Sequence, residues 1–242
     1  MKNEREKTES FDEQVEGKYL ELKDLPIVKD AFLLIDEGLK KKHPEAAERS
    51  PDVLAYHGRP HLEDVLHEAV LFALSEGVND PKELELLAVA VSFHDAGFIK
   101  KYDNNEKIGA KLAAEYMKKS GVYSTEDIKR VKQIILSTQV EFEGGFKQLV
   151  QNDKDPLCRI IADADVSNFG RTDHLEKGEK VFQELSAVKK IPADNKKTRL
   201  MFNKFREKMV RTHKWQTASA KNLRGGQEQH NLQALKSKLS KK

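Results

Sequence analysis

The sequence predicts an all-α fold, and three observations predict it. Apolar residues recur at helical spacing through most of the 242 residues. Proline and glycine fall where those periodic stretches begin and end. No segment shows the strict apolar-polar alternation of a half-buried strand. Hydrophobic residues make up 38% and charged residues 34%, which suits a highly charged globular protein with a real core. No apolar run reaches the ~18 residues that a membrane-spanning helix needs. Residues 1–16 hold no apolar stretch of the secretory-signal kind. Cys158 is the only cysteine, so no intrachain disulfide can form, and a cytoplasmic location is expected.

The elements follow in order. Residues 1–24 read as a flexible, solvated leader, and residues 25–242 as one helical domain with its core at about 50–170. Pro26 opens a helix carrying Ile27, Phe32, Leu33, Ile35 and Leu39, which ends near His43-Pro44. Pro44 to Arg59 reads as a loop. Pro60 opens the next helix, with Leu62, Val65, Leu66, Ala69, Val70, Phe72 and Ala73 apolar, and Gly77 stops it. Asp80-Pro81 caps another, whose body from Leu84 to Phe93 is apolar nearly all round and is therefore expected at the centre of the domain. It runs straight into His94-Asp95 and breaks at Gly97. Further helices are expected at about 105–119, 125–138, 155–166, 173–189, 193–213 and 226–239.

Charge is unevenly spread. Residues 189–242 carry 16 Lys+Arg against 3 acids, a balance of +13, whereas residues 1–188 carry a balance of −10. The first reading is that basic helices at about 190–240 dock against an acidic body. The second is a surface that receives an anion, either a nucleotide or a nucleic acid.

Chemistry is expected where charge meets apolar sequence. His94-Asp95 ends the most apolar helix, and a buried unpaired carboxylate is costly unless a cation meets it. His61 and Asp64 share a helix face, so Asp64 is placed to take the second ring proton of His61. His57 precedes that helix and is a candidate to meet substrate, while His67 points elsewhere and reads as structural. Asp163 and Asp165 lie in the apolar segment Cys158–Val166, two apart and so about 200° around a helix. One is expected to be a ligand and the other a supporting group, and the residues alone do not say which.

These segments together resemble the HD superfamily of metal-dependent phosphohydrolases. Tyr56–Val65 is similar to the family's first histidine segment, Val91–Phe98 to its His-Asp hallmark, and Asp165-Val166-Ser167-Asn168 to its final aspartate segment. Asn104–Lys107 and Ile134–Thr138 resemble two further landmarks. The resemblance implies an HD-type helical bundle, with His61, His94, Asp95 and Asp165 holding one divalent ion (Mn, Mg, Fe, Co or Zn). It implies hydrolysis of a small phosphorylated substrate, with Asp95 also accepting the proton of the attacking water. Glu106 and Lys107 are then candidates to orient water and stabilise phosphate charge, and Arg59 to bind substrate beside His57. The sequence departs from the family in two places. No histidine lies between Asp95 and Asp165, which favours the one-metal kind and leaves Asp163 or His174 as weak helpers for a second ion. No histidine closely follows Thr138, which keeps open a metal- and nucleotide-binding regulator with little turnover. A nucleic-acid-binding protein is the third, less favoured reading. Cys158 and Trp215 read as packing residues, and Gly144-Gly145 and Gly225-Gly226 as no phosphate-cradling fingerprint.

Overall fold

A computed structural model describes residues 9–49 and 53–240 of the chain. The expected all-α fold is found. At its centre lies α5 (Pro81–Phe93), capped by the Asp80 carboxylate, which accepts from the backbone of Lys82 and Glu83. All its residues from Leu86 to Phe93 are buried. Around it pack α1 (Phe11–Lys23), α2 (Pro26–Lys42), α4 (Arg59–Ser75), α6 (Asn105–Ser120), α7 (Thr125–Leu136) and α8 (Pro156–Asp165). Its continuous apolar surface has neighbours on every side, which is why it carries no polar stripe.

The sequence reading needs four corrections. Residues 11–23 of the expected flexible leader form α1, while residues 1–8 lie outside the described region. Ser10 caps that helix reciprocally with Glu13, and Val15 and Leu22 are buried from one face. Two apolar side chains seven apart suffice to dock a capped helix, and its polar composition hides them. The expected loop after Pro44 contains a short helix, α3 (Pro44–Arg49). The described residues also include a hairpin, β1 (Val140–Glu141) with β2 (Lys147–Gln148), pairing Val140 with Gln148 and Glu141 with Lys147. Two residues per strand are too few to leave a periodic signal. Finally, α11 (Ala218–Ser240) starts eight residues earlier than expected and runs through Gly225-Gly226.

The C-terminal half continues with α9 (His174–Ala187), α10 (Lys196–Thr212) and α11. The last of these lies on the short 3-10 turn Ser167–Gly170 that follows α8. Arg224 forms a two-pronged ion pair with buried Glu68 of α4, at 2.9 and 2.6 Å. Asn231 donates to the carbonyls of Phe169 and Arg171. The basic region therefore docks against the acidic body. Among the described residues, no helix is long and apolar enough to cross a membrane.

Candidate metal centre

Four side chains converge where α4, α5 and α8 meet. His61 stands in the first turn of α4, His94 and Asp95 at the end of α5, and Asp165 at the end of α8. Their placement depends on close backbone packing around the His-Asp turn. A side chain at Gly97 would put its Cβ 2.0 Å from the carbonyl oxygen of Asn105, and one at Gly109 would lie 2.2 Å from that of Phe93. Bare backbone at both positions lets α6 cross directly over the turn. Asn104, in the left-handed region at φ 55°, starts that helix. The amide of Asn105 then donates to Asp95 Oδ1 at 2.8 Å.

The donor atoms face one another. His61 Nε2 lies 3.2 Å from Asp165 Oδ1 and 3.4 Å from Asp95 Oδ2. His94 Nε2 lies 3.3 Å from both the same oxygens. Yet His94 Nε2 and Asp95 Oδ2 are buried without a hydrogen-bond partner. Metal–ligand bonds of about 2.1 Å place neighbouring donors about 3.0–3.4 Å apart, so this spacing is what a shared ion requires. His94 Nδ1 sits 2.7 Å from the carbonyl of Val91, which can only accept, so Nδ1 holds the proton and Nε2 is free to ligate.

Electrostatics point the same way. Burial alone would depress the His94 pKa, but the adjoining Asp95 and Asp165 carboxylates hold it well above the ordinary histidine value. Desolvation alone would raise the Asp165 pKa, yet the imidazoles of His61 and His94 hold it below the usual carboxylate range. The two carboxylates stabilise positive charge between them. His61, His94 and Asp95 form a group able to hold a metal ion.

The site opens into a cavity of about 380 Å³ lined by Asp95, Asp165, His57, Glu106 and a set of aromatic side chains. Glu106 is where the sequence reading put it, with its pKa raised by burial and by the charges of Asp95 and Asp165. Lys107 is not, because it is exposed on the outer face of α6 and absent from the lining. Arg59 is also misplaced. It pairs with Glu63 at 2.9 Å and Asp36 at 3.3 Å and stacks over Phe32, outside the cavity. Asp64 does not orient His61; it forms ion pairs with Lys177 and Arg171, for which α9 and the loop before it supply the cations.

His57 lines the cavity but is held by Glu184, a residue of α9 that the sequence reading missed. Glu184 accepts from the backbone N–H groups of Tyr56 and His57 at 2.8 Å, approaches His57 Nδ1 at 2.5 Å, and accepts from the Tyr102 hydroxyl at 2.8 Å. Burial alone would lower the His57 pKa, yet Glu184 pushes it up to about 9, and Glu184 itself is held down to about 2. One acid in an amphipathic helix 127 positions away carries no sequence signal of this role. Asn105 was also missed as a site residue, although its segment had been noted.

Asp163, fully buried, faces away from the centre. It accepts from the backbone N–H groups of Gln216 and Thr217 and from the Thr217 hydroxyl. Both of its oxygens are thereby engaged by the protein. His174 lines the cavity, with Nδ1 bonded to the carbonyl of Asn168 at 3.1 Å and Nε2 buried without a partner. Cys158 is buried in the core, and Trp215 packs edge-on against His213 while donating to Glu228.

Residues 60–168 match the family model of the HD domain. The match begins one residue before His61 and ends three after Asp165, so it encloses all four converging donors. Residues 60–168 are an HD domain, consistent with the HD superfamily of metal-dependent phosphohydrolases. No curated protein matches it.

Proposed function

We propose that this protein hydrolyses phosphoesters of small molecules by means of a water activated on one divalent ion held by His61, His94, Asp95 and Asp165. The observation that carries the reading is the set of four donor atoms, 3.2–3.4 Å apart across the measured pairs, with His94 Nε2 and Asp95 Oδ2 left without hydrogen bonds. A bound divalent ion would lower the pKa of its water and neutralise phosphoryl charge. The chain's own residues supply the rest. Asn105 fixes Asp95 through Oδ1, which leaves Oδ2 turned to the centre to ligate and to accept the water proton. Glu106 lines the same cavity and is the carboxyl available there to serve the departing oxygen or orient the water.

The test is elemental analysis of chelator-free protein, followed by turnover assays with Mn²⁺, Co²⁺, Mg²⁺ and Zn²⁺ on a panel of phosphoesters. About one ion per chain and metal-dependent release of phosphate or alcohol are expected. A chain that takes up no ion overturns the site, and one that binds an ion but turns over nothing favours the regulator.

A further inference from the structure

One charge in the cavity beside the metal centre has no counter-charge. The floor of that cavity is the polar end of the HD domain, with Asp95 and Asp165, and its walls are largely aromatic, with Phe146, Phe169 and Phe202 among them. Arg206 of α10 is set into the wall and is only 8% exposed. Its Nη2 donates to the backbone carbonyl of His174 at 2.8 Å, and its guanidinium carbon lies 5.9 Å from the centroid of the Phe202 ring. Among the described residues it forms no ion pair, and its Nε and Nη1 have no hydrogen-bond partner. Glu179, the acid whose charge it feels, is already held by Arg199 through both oxygens at 3.0 Å. The other cations around the site are committed: His57 to Glu184, Arg171 to Asp173, and Lys177 to Asp64.

A buried cation is costly unless it is paired, yet this position is shaped to hold one. Gly178 of α9 faces the guanidinium, and a Cβ there would fall 1.9 Å from Arg206 Cζ. Glycine inside a helix is unfavourable, so its place here leaves room for that group at a cost. Burial pulls the Arg206 pKa down to about 10, which still leaves it charged at neutral pH. A brace between α9 and α10 would need only a neutral donor to the His174 carbonyl. It would explain neither the full charge nor the unmet N–H groups, whose planar fork matches two oxygens of a carboxylate or phosphate.

Resting on the assignment of this cavity as the substrate site, we propose that Arg206 is a second anchor for substrate, and that the cavity takes phosphoesters whose body carries a further oxyanion, a carboxylate or a second phosphate. The phosphoryl group reaches Asp95 and Asp165 on the floor, the body packs among the aromatic rings, and the second oxyanion meets the guanidinium in the wall.

Propyl, butyl and hexyl phosphate are each compared with counterparts of the same chain length that end in a carboxylate or in a second phosphate. Binding to the protein loaded with Mn²⁺ is measured by calorimetry, with turnover alongside. At the length that fits, an oxyanion-ended probe is expected to bind about 10–100-fold more tightly than its methyl-ended counterpart, the scale of hydrogen bonds to a charged group. The carboxylate and phosphate arms show which oxyanion is preferred. Arg206→Gln should erase the advantage and leave the affinity for methyl-ended probes unchanged, and Arg206→Lys, which keeps the charge but loses the fork, should retain part of it. Circular dichroism checks folding. Gly178→Ala, which keeps Arg206 but fills the space of its guanidinium, should lower the same ratio. Equal binding of the three kinds of probe at every length, or an advantage kept in folded Arg206→Gln, overturns the proposal, and the hydrolase reading survives if the methyl-ended probes are turned over. An advantage that depends on Arg206 without hydrolysis under any metal upholds the second anchor while sinking the hydrolase reading. No binding of any probe sinks both.

Discussion

Two carboxylates on α8, two residues apart, one fully buried and the other half-buried, sit in opposite hydrogen-bonding environments. Asp163 is saturated, because Gln216 and Thr217 fill it with backbone and hydroxyl donors. Asp165 belongs to a cluster in which donors stand 3.2–3.4 Å apart and two buried atoms have no hydrogen bond. Both are aspartates in apolar helix, so sequence context alone does not separate structural from functional charge. What separates them is whether the surrounding protein has already supplied the partners. A saturated carboxylate holds the fold together, whereas an unsaturated cluster is kept for something that arrives.

The largest expected effect comes from breaking the unsaturated side. Asp165→Ala or Asp95→Asn should abolish tight metal binding and metal-dependent hydrolysis with the helical circular-dichroism spectrum unchanged. Elemental analysis and turnover on the folded variants check this, and retained activity in folded Asp95→Asn would remove that residue from the chemistry. Asn105→Ala acts one step further out. It should weaken metal affinity by about 10–100-fold, since it frees the ligand it orients, and metal titration by calorimetry measures the change.

Breaking the saturated side should leave the metal in place and cost stability instead. Asp163→Ala strands the N–H groups of Gln216 and Thr217, a loss of about 1–3 kcal/mol, seen as a drop of roughly 3–10 °C in Tm. If Asp163→Ala abolished metal binding while Asp165→Ala merely lowered Tm, the comparison would have to be inverted.

The donor cluster was readable in the sequence because its residues are charged, lie in apolar helices, and occur in order at a recognisable spacing. His61, His94, Asp95 and Asp165 all meet that description. Arg59, Lys107 and Asp64 do not stand where they were expected, because a charged residue near a site in sequence can turn to a nearer partner in space. Glu184 escaped notice for the converse reason, as its partners Tyr56, His57 and Tyr102 become neighbours only when α9 docks. The helices were predictable from periodicity, but α1 and the hairpin were not, since one buries two apolar residues from a polar stretch and the other has only two residues per strand.

The smallest effect is on acid stability. Burial and the charge of Arg206 depress the His174 pKa to about 4, below the ordinary value of 6.5. The unfolded chain therefore takes up a proton that the folded chain refuses as pH falls from 6.5 to 4, so His174 contributes a loss of stability across that window. His174→Phe should flatten that part of the profile in thermal melts taken at half-unit intervals. An unchanged slope would show that His174 is not held neutral by its surroundings.

The cavity's floor and part of its walls come from different stretches of chain. The four converging donors lie within residues 60–168, while α9 and α10 furnish much of the chamber above them. Such a division separates two kinds of change. Substitutions at Phe202, Phe205 or Met209 can reshape what fits without disturbing His61, His94, Asp95 or Asp165, so the chamber is free to drift while the donor cluster stays the same. An engineer wishing to retarget the protein would work on α10 and leave α5 alone.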